Sequence, residues 1–245
     1  MTGEANSCET TEDLQRNGYR ILQRRDNFRF GIDAVLLAWF AHAEPGEKII
    51  DLCTGTGVVM MLMEARNQCG TYTGLEIQRE MAETAARSVE LNGLSDHMRV
   101  VCGDVRNASQ LFSASSFDVV TVNPPYVKKG GGLKNPEEGK AIARHEILLT
   151  LEETLRESSK LLKQGGRFYM VHRASRTSEI VSLMETYALK PDAIRFVHSF
   201  REKDAELLLI SARRGGRNAV RIEPPLVLYG EDGGYTEETK AILYE

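Results

Sequence analysis

The chain has 245 residues, of which 42% are hydrophobic and 27% charged, and its formal net charge at pH 7 is −4. This composition is typical of a globular protein and disfavours one that coats nucleic acid through charge alone. No apolar run approaches the ~20 residues of a membrane span, the start is too polar for a signal peptide, and the four cysteines and five histidines lack metal-ligand spacing. We expect a cytoplasmic protein without a metal, membrane attachment or obligate protein partner.

The chain is predicted to begin with a disordered tail at residues 1–13, followed by a hairpin and helix within residues 14–46. The hairpin is expected over residues 19–30, turning around Arg24–Asn27, and the helix over 33–41. The main domain is expected at residues 47–214, with a C-terminal tail at 215–245 that packs on it.

Strand and helix patterns alternate from residue 48 onward. Strands are predicted at 48–52, 71–75, 98–102, 117–122 and 167–172, and helices at 58–66, 79–92, 105–112, 141–162 and 177–189. Strands 194–199 and 206–212 are joined by a loop too short for a crossover helix, so the last strand is expected to be antiparallel. The fold class is therefore α/β, with a mostly parallel seven-stranded sheet and helices on both faces.

A glycine-containing loop, Asp51-Leu52-Cys53-Thr54-Gly55-Thr56-Gly57, joins the first main strand to the first main helix. Gly55 and Gly57 permit close approach of the backbone to a ligand, although tight turns also need glycine for steric reasons alone. Glu76 ends the next strand about 20 residues later, the spacing at which an acid accepts hydrogen bonds from ribose hydroxyls. Asp104 ends the third strand, where a carboxylate can accept from an adenine amino group or cap the following helix.

The tetrapeptide Asn123-Pro124-Pro125-Tyr126 directly follows the apolar strand 117–122. Two prolines force the chain out of the sheet at the strand end, which is where ligands bind in α/β sheets. An amide oxygen and a proline carbonyl can both accept from one planar amino group, while the tyrosine ring can stack on the base or amide that carries it. The sequence therefore predicts a site at which an amino nitrogen reacts.

These motifs resemble those of the class I S-adenosylmethionine-dependent methyltransferases, which implies a Rossmann-like fold. In that superfamily the glycine loop holds the methionyl part of the cofactor, the acid after the second strand the ribose, and the later Asp the adenine. Here Cys53 stands in place of the first loop glycine. The resemblance implies these cofactor-binding residues: Asp51, Cys53, Thr54, Gly55, Gly57, Glu76, Ile77, Asp104, Val105 and Asn123.

Further segments resemble the bacterial tRNA1(Val) adenine-N6-methyltransferase family, which modifies the adenine just 3′ of the anticodon. They are residues 14–41, Glu76-Ile77-Gln78, residues 87–92, Arg144-His145-Glu146, and the tail from Pro224-Pro225-Leu226 to Gly234-Tyr235-Thr236. The resemblance implies methyl transfer to an adenine amino group by Asn123, Pro124, Pro125 and Tyr126. Basic residues become candidate tRNA contacts, with solvated charge as the alternative: Arg24, Arg25, Arg29, Lys128, Lys129, Arg144 and His145.

Three alternatives remain open. Methyltransferases of protein glutamine side chains share the NPPY tetrapeptide, but they usually carry a separate helical N-terminal domain that the first 45 residues are too short to supply. A ribosomal-RNA guanine-N2 methyltransferase is the second, and a cofactor-binding RNA-interaction module without catalysis is the third. His172 and Arg173, which end a strand, could line the same cleft, although a packing role is favoured.

Overall fold

The computed structural model describes residues 9–24, 30–67, 70–125, 149–217 and 219–244. In chain order its strands are β1 (Glu9–Asp13), β2 (Arg20–Arg24), β3 (Lys48–Leu52), β4 (Thr71–Glu76), β5 (Met98–Cys102), β6 (Phe117–Val122), β7 (Leu162–Arg173), β8 (Leu189–His198), β9 (Ala205–Arg214), β10 (Arg221–Ile222) and β11 (Leu226–Val227). The helices are α1 (Ile32–Phe40), α2 (Val58–Asn67), α3 (Arg79–Leu91), α4 (Ala108–Leu111), α5 (Leu151–Leu161), α6 (Thr177–Thr186) and α7 (Glu237–Tyr244). Short 3-10 turns precede α4 at Val105–Asn107 and α6 at Ala174–Arg176.

A central sheet has the strand order β10-β8-β9-β7-β6-β3-β4-β5, and β11 also pairs with β8. Strands β3 to β7 pair in parallel, whereas β9 is antiparallel to both β7 and β8. This confirms the mostly parallel α/β architecture with its antiparallel last long strand. The short strands β10 and β11 of the C-terminal tail were not predicted, and they cover β8, which would otherwise present unpaired backbone groups at the sheet edge.

Helices cover both faces of the sheet, as predicted. Because successive strand residues point to opposite faces, each strand contributes to both halves of the core. In β3, Ile49 packs in the half that contains Leu37 of α1 and Met61 of α2. Its neighbour Ile50 packs in the other half, with Leu155 of α5 and Ile180 of α6.

The N-terminal hairpin differs from the prediction. Strand β2 pairs with β1 in antiparallel register, so the prediction of disorder is wrong for residues 9–13. Residues 1–8 and 25–29 lie outside the described residues. All five residues of β1 are polar, so the strand lacks the apolar alternation that predicts a strand. The hairpin lies on α3, where the Leu22 amide donates to Ser88 Oγ over 3.0 Å and Arg87 pairs with the buried Glu9.

Several element boundaries also differ. Helix α5 begins at Leu151 because Thr150 forms a capping box with Glu153, and the rest of the helix predicted from residue 141 lies outside the described part. Helix α6 ends at Thr186, earlier than predicted. Strands β7 and β8 both begin earlier than predicted, and β8 contains Pro191, which it accommodates with a register shift against β9.

The C-terminal tail packs against the main domain through a buried arginine. Arg195 of β8 donates from Nε to the Pro224 carbonyl at 3.0 Å and from Nη2 to Glu238 Oε1 at 2.5 Å. Its guanidinium also lies 5.2 Å from the ring centre of Trp39 in α1. The Arg195 side chain thus links β8, α1 and the C-terminal tail.

Candidate functional site

The predicted site segments meet at the carboxyl edge of the sheet. Strands β3, β4, β5 and β6 are adjacent and parallel, so their carboxyl ends lie side by side. Leu52 of β3 is paired with Leu75 of β4 and with Val122 of β6, and Glu76 is paired with Cys102. The chain therefore brings the glycine loop, Glu76, Asp104 and Asn123 to one edge, as the sequence predicts.

Asp51 anchors the glycine loop from within the sheet. Its carboxylate is buried and accepts a 2.6 Å hydrogen bond from Thr54 Oγ1 and a 2.7 Å bond from Thr121 Oγ1. Burial raises the pKa of Asp51 to about 7, although the two hydroxyl donors oppose this shift, and the nearby Glu76 adds to it. The carboxyl group therefore titrates near neutrality.

Glu76 holds the same loop from the neighbouring strand. The amide of Gly55 donates to its Oε2 and the amide of Gln78 to its Oε1, both over 2.9 Å. The Thr54 amide donates to the Leu75 carbonyl at 3.1 Å. These hydrogen bonds fix the position of the loop relative to the carboxyl end of β4.

The loop backbone adopts left-handed conformations at Cys53, Gly55 and Gly57, with φ of 57°, 57° and 85°. Glycine tolerates this region, whereas a side chain costs roughly 1–2 kcal/mol there. Cys53, which stands in place of the first loop glycine, is thus a non-glycine residue held in the left-handed region. Its strain is localised at the point where β3 leaves the sheet.

Gly74 is a site residue that the sequence analysis missed. It lies in β4 opposite Asp51, and a Cβ atom there would approach Thr54 Cγ2 to 2.8 Å and its Oγ1 to 3.0 Å. The absence of a side chain makes room for Thr54 to reach Asp51. A glycine in the middle of a predicted strand was the available signal.

Asp104 caps the 3-10 turn that follows β5. Its Oδ1 accepts from the Arg106 amide at 2.9 Å, and its Oδ2 accepts from Arg106 Nε at 2.9 Å. These hydrogen bonds lower the pKa of Asp104 and keep it ionised. The neighbouring Val105 side chain is buried in the core, so only its backbone is placed to contact a ligand.

Three acidic side chains lie near Cys53, and one of them, Asp104, is paired with Arg106. Burial raises the pKa of the Cys53 thiol, and the carboxylates of Glu76, Asp51 and Asp104 raise it further. Their combined effect at one atom shows that three acidic groups act on the same small volume. Such an environment suits a positively charged ligand, and the 43% exposed side chain of Ile77 adds an apolar surface beside it.

Asn123 follows β6 one position beyond the Leu52–Val122 pair, which places it next to Cys53 at the neighbouring strand end. Asn123 and Pro125 are half-buried, and Pro124 is buried. Tyr126 lies outside the described residues, as do the side chain of Arg24 and these predicted RNA contacts: Arg25, Arg29, Lys128, Lys129, Arg144 and His145.

A cavity of about 640 Å³ opens beside Pro124 and Pro125. It lies between the starts of α5 and α6, and we call it the proline cavity. His172, the penultimate residue of β7, lines it and is buried. Burial is the main cause that lowers the pKa of this imidazole to about 4, so the ring is neutral at pH 7. The sequence favoured a packing role for His172, and the structure places it at the cavity wall.

Among the helices of the described segments, none combines the length and apolar character needed to cross a bilayer. Nor do the described residues contain a group of three or more His, Cys, Asp or Glu side chains placed to hold a metal ion.

Comparison with known proteins identifies related chains. A family model described as a methyltransferase domain matches residues 43–208. A tRNA1(Val) (adenine(37)-N6)-methyltransferase from Porphyromonas gingivalis is 28% identical over 219 residues, which cover 86% of this chain and 85% of the relative. Proteins of the same description from Bacteroides fragilis and Pedobacter heparinus also match. The first is 30% identical, covering 66% of this chain and 68% of the relative, and the second is 26% identical, covering 88% and 89%.

Solved structures share the fold. A crystal structure of a "predicted O-methyltransferase" from Agrobacterium tumefaciens has a TM-score of 0.69 at 24% identity, covering 86% of this chain and 95% of its own. The geranyl diphosphate C-methyltransferase of Streptomyces coelicolor, solved with S-adenosyl-L-homocysteine, has a TM-score of 0.53 at 16% identity, covering 75% of this chain and 77% of its own. At these identities the similarity concerns the fold.

Asp51→Asn is expected to change how stability depends on pH. Because the folded state raises the pKa of Asp51 to about 7, its contribution is fully present below about pH 4 and falls as the pH rises through about 7. The unfolding free energy of the variant relative to wild type should therefore increase by roughly 3–4 kcal/mol between pH 4 and pH 8. Urea unfolding of the ligand-free protein across this range measures it.

Asp118→Asn is a control for which the unfolding free energy should depend on pH in the opposite direction. The Lys163 hydrogen bond lowers the pKa of Asp118 against the effect of burial, so its contribution is present above about pH 4 and is lost as the pH falls. Parallel profiles for Asp51→Asn and wild type would contradict the assignment of the buried charge.

Cys53→Gly should be more stable than Cys53→Ala. At an ordinary position alanine is favoured, but at φ 57° the alanine retains the backbone strain and glycine removes it. We expect a difference of about 1 kcal/mol in favour of glycine, measured by thermal and urea unfolding. An alanine variant more stable than the glycine variant would show that Cys53 is unstrained.

Proposed function

Because this chain belongs to the methyltransferase domain family and, within it, to the tRNA1(Val) (adenine(37)-N6)-methyltransferases, we propose that it transfers a methyl group to N6 of an adenine in tRNA. The proposed target is the adenine at position 37, which the relatives' description names. The donor that the methyltransferase domain implies is S-adenosylmethionine.

The observation that carries this proposal is the juxtaposition of Asn123 and the glycine loop. Leu52 and Val122 are paired partners, and the chain leaves both strands at the next residue. An amino group held by Asn123 and Pro124 would therefore lie beside a ligand held by the loop from Cys53 to Gly57. Proximity of this kind is a large part of the catalysis of a two-substrate transfer.

The residues present fit the cofactor. It is a sulfonium cation with an amino group, and the acidic side chains around Cys53, of which Glu76 accepts only from backbone amides in the bonds described above, suit such a ligand. We propose that the loop from Asp51 to Gly57 holds the methionyl part and that Glu76 accepts from ribose hydroxyls. Asp104, with Ile77 and the Val105 backbone, would hold the adenine. When bound, the cofactor supplies an electrophilic methyl group attached to sulfur.

The protein's own part is to orient the amino group. The lone pair of an adenine amino nitrogen is delocalised into the ring, so the nitrogen is a weak nucleophile. Acceptors at Asn123 Oδ1 and the Pro124 carbonyl would bind its two N–H groups and direct the lone pair at the methyl carbon. The cofactor would supply the methyl group, and the methylated nitrogen would then lose its extra proton to solvent. The acceptors stabilise the positive charge that develops on the nitrogen, and Tyr126 is proposed to stack on the base.

The tRNA itself is proposed to contact basic side chains. The proposed contacts are Arg24, which ends β2, and Arg25, Arg29, Lys128, Lys129, Arg144 and His145. Contacts of this kind make binding weaken as salt rises. We propose that the protein acts in the cytoplasm, where its tRNA substrate is found.

Mass spectrometry of nucleosides tests the reaction directly. The protein is incubated with isotope-labelled S-adenosylmethionine and, separately, with bulk tRNA, ribosomal RNA and protein. We expect labelled N6-methyladenosine in tRNA only. Label in protein glutamine, or in N2-methylguanosine of ribosomal RNA, would establish one of the alternatives. RNA binding without any transfer would indicate a module without catalysis.

Asn123→Ala and Glu76→Ala should have separable effects. Asn123→Ala removes an acceptor for the reacting amine, so kcat should fall by roughly a hundredfold or more while the cofactor Kd stays near that of wild type. Glu76→Ala removes an ionised acceptor from the cofactor site, so the cofactor Kd should rise at least about tenfold. Single-turnover kinetics and calorimetry measure the two. A fully active Asn123→Ala variant, or an unchanged Kd in Glu76→Ala, would exclude the corresponding role.

A further inference from the structure

A stack of three aromatic rings lies where β8 turns into β9. The ring centres of Phe200 and Tyr229 are 5.4 Å apart with their planes inclined at 31°, and those of Tyr229 and Tyr235 are 5.1 Å apart at 17°. Both tyrosines are half-buried, whereas Phe200, at one end of the stack, is 37% exposed. We call these three residues the aromatic platform, and the mechanism described above does not use it.

Hydrogen bonds hold the backbone under the exposed ring in place. The Lys203 amide donates to the Phe200 carbonyl at 3.0 Å and closes the turn between β8 and β9. His198 Nδ1 donates to the Lys203 carbonyl at 2.7 Å, since a carbonyl oxygen can only accept. The Tyr229 amide donates to the Ser199 carbonyl at 3.0 Å and attaches the C-terminal tail to the same turn. The turn is thus ordered before a ligand binds, which lowers the entropic cost of binding.

The aromatic platform lies at the same edge of the sheet as Asn123. Strand β9 is antiparallel to both β7 and β8, so β8 runs in the direction of β7, and β7 is parallel to β6. Phe200 follows the carboxyl end of β8 by two residues, as Asn123 directly follows the carboxyl end of β6. Three strand spacings separate β6 from β8 in the sheet, a distance of roughly 14 Å.

This distance places the platform within reach of an RNA whose adenine is held at Asn123. The proposed cofactor site occupies the ends of β3, β4 and β5, which lie on the other side of β6. The ends of β7 and β8 are therefore left for the RNA. The anticodon arm of a tRNA is wider than a few strand spacings, so we expect it to extend over the turn that carries Phe200.

The charges of the turn disfavour a phosphate as the ligand. The exposed residues Arg201 and Lys203 alternate with the exposed residues Glu202 and Asp204, and the tail loop at 230–234 adds two further acids. What the turn offers to an RNA is therefore the aromatic face rather than positive charge. Such a face stacks on any nucleobase, and carboxylates beside it can accept from base amino groups.

We propose that the aromatic platform binds an unpaired base of the anticodon arm, which stacks on the exposed ring of Phe200. The proposal rests on the proposed function, since it needs an RNA held at Asn123. It adds to that function a contact remote from the reacting amine, which contributes to RNA binding and not to the chemical step. Stacking on aromatic side chains is a usual way in which proteins bind unpaired bases.

Variants at position 200 separate stacking from simple apolar packing. Phe200→Ala removes the ring, Phe200→Leu keeps an apolar side chain against Tyr229 but has no aromatic face, and Phe200→Trp retains a ring. Ile222→Ala is the matched control, because it removes another exposed apolar side chain, 60% exposed, from β10. Ile222 pairs with Ile194, four residues before the end of β8, and so lies away from the carboxyl edge.

Fluorescence anisotropy measures the Kd for an anticodon stem-loop RNA, and labelled methyl transfer from S-adenosylmethionine measures kcat and KM. Phe200→Ala and Phe200→Leu should raise the RNA Kd and KM about fivefold to a hundredfold, the range that base stacking supplies, with kcat near that of wild type. Phe200→Trp and Ile222→Ala should bind as wild type does. The loss should be the same at low and high salt, because a neutral ring displaces no counterions.

Cofactor Kd and the melting temperature report whether each variant is folded, and Phe200→Leu carries the test if Phe200→Ala does not fold. A folded Phe200→Leu variant with the RNA Kd and KM of wild type would overturn the proposal, and so would a loss confined to kcat. A loss accompanied by a changed mass of the RNA-free protein would indicate a protein interface and would overturn it too. Failure of the proposed function differs from these outcomes, because wild type would then methylate no RNA.

Discussion

The site depends on the hydrogen bonds that two threonine hydroxyls donate to the buried carboxylate of Asp51. Thr121 approaches it from the neighbouring strand β6, to which Asp51 is paired, and Thr54 folds back from the loop. On the other side the paired residue is Gly74, whose missing side chain leaves the space that Thr54 occupies. One acid thereby links the strand that carries Asn123 to the loop proposed to hold the cofactor.

Burial of the Asp51 carboxylate costs free energy in the ligand-free protein, and a cationic ligand would recover part of it. A buried carboxylate is destabilising when charged, as the raised pKa of Asp51 shows. Glu76 lies close enough to contribute to that rise, and its own oxygens accept from the Gly55 and Gln78 amides. The folded, ligand-free site is thus electrostatically incomplete, and a cationic ligand would relieve the repulsion. Perturbed acids of this kind are typical of functional sites.

The sequence predicted the features that depend on periodicity and strand ends. The alternation of strand and helix patterns from residue 48 predicted the parallel sheet, and the ends of β3, β4, β5 and β6 meet as expected because parallel strands share an edge.

Features that depend on tertiary contacts could not be predicted. Strand β1 is polar and is held by β2 and α3, and β10 and β11 have two residues each and form because β8 offers free backbone groups. His172 looked like a core residue because its strand is buried, and only the packing of α5 and α6 shows the cavity beside it. The capping box at Thr150, in contrast, was legible in the sequence and would have corrected the start of α5.

Cys53 stands where the related loops usually have glycine, and a cysteine near a methyl donor could itself be methylated. The acidic side chains around it lower this reactivity. A thiolate next to a sulfonium methyl would be a far better nucleophile than an adenine amine, and the enzyme would consume its donor by alkylating itself. Nucleophilicity belongs to the thiolate, and burial together with Glu76, Asp51 and Asp104 holds the pKa of Cys53 well above its usual range. The side chain therefore stays protonated, and the same acidic groups that are proposed to hold the donor would protect the protein from self-methylation.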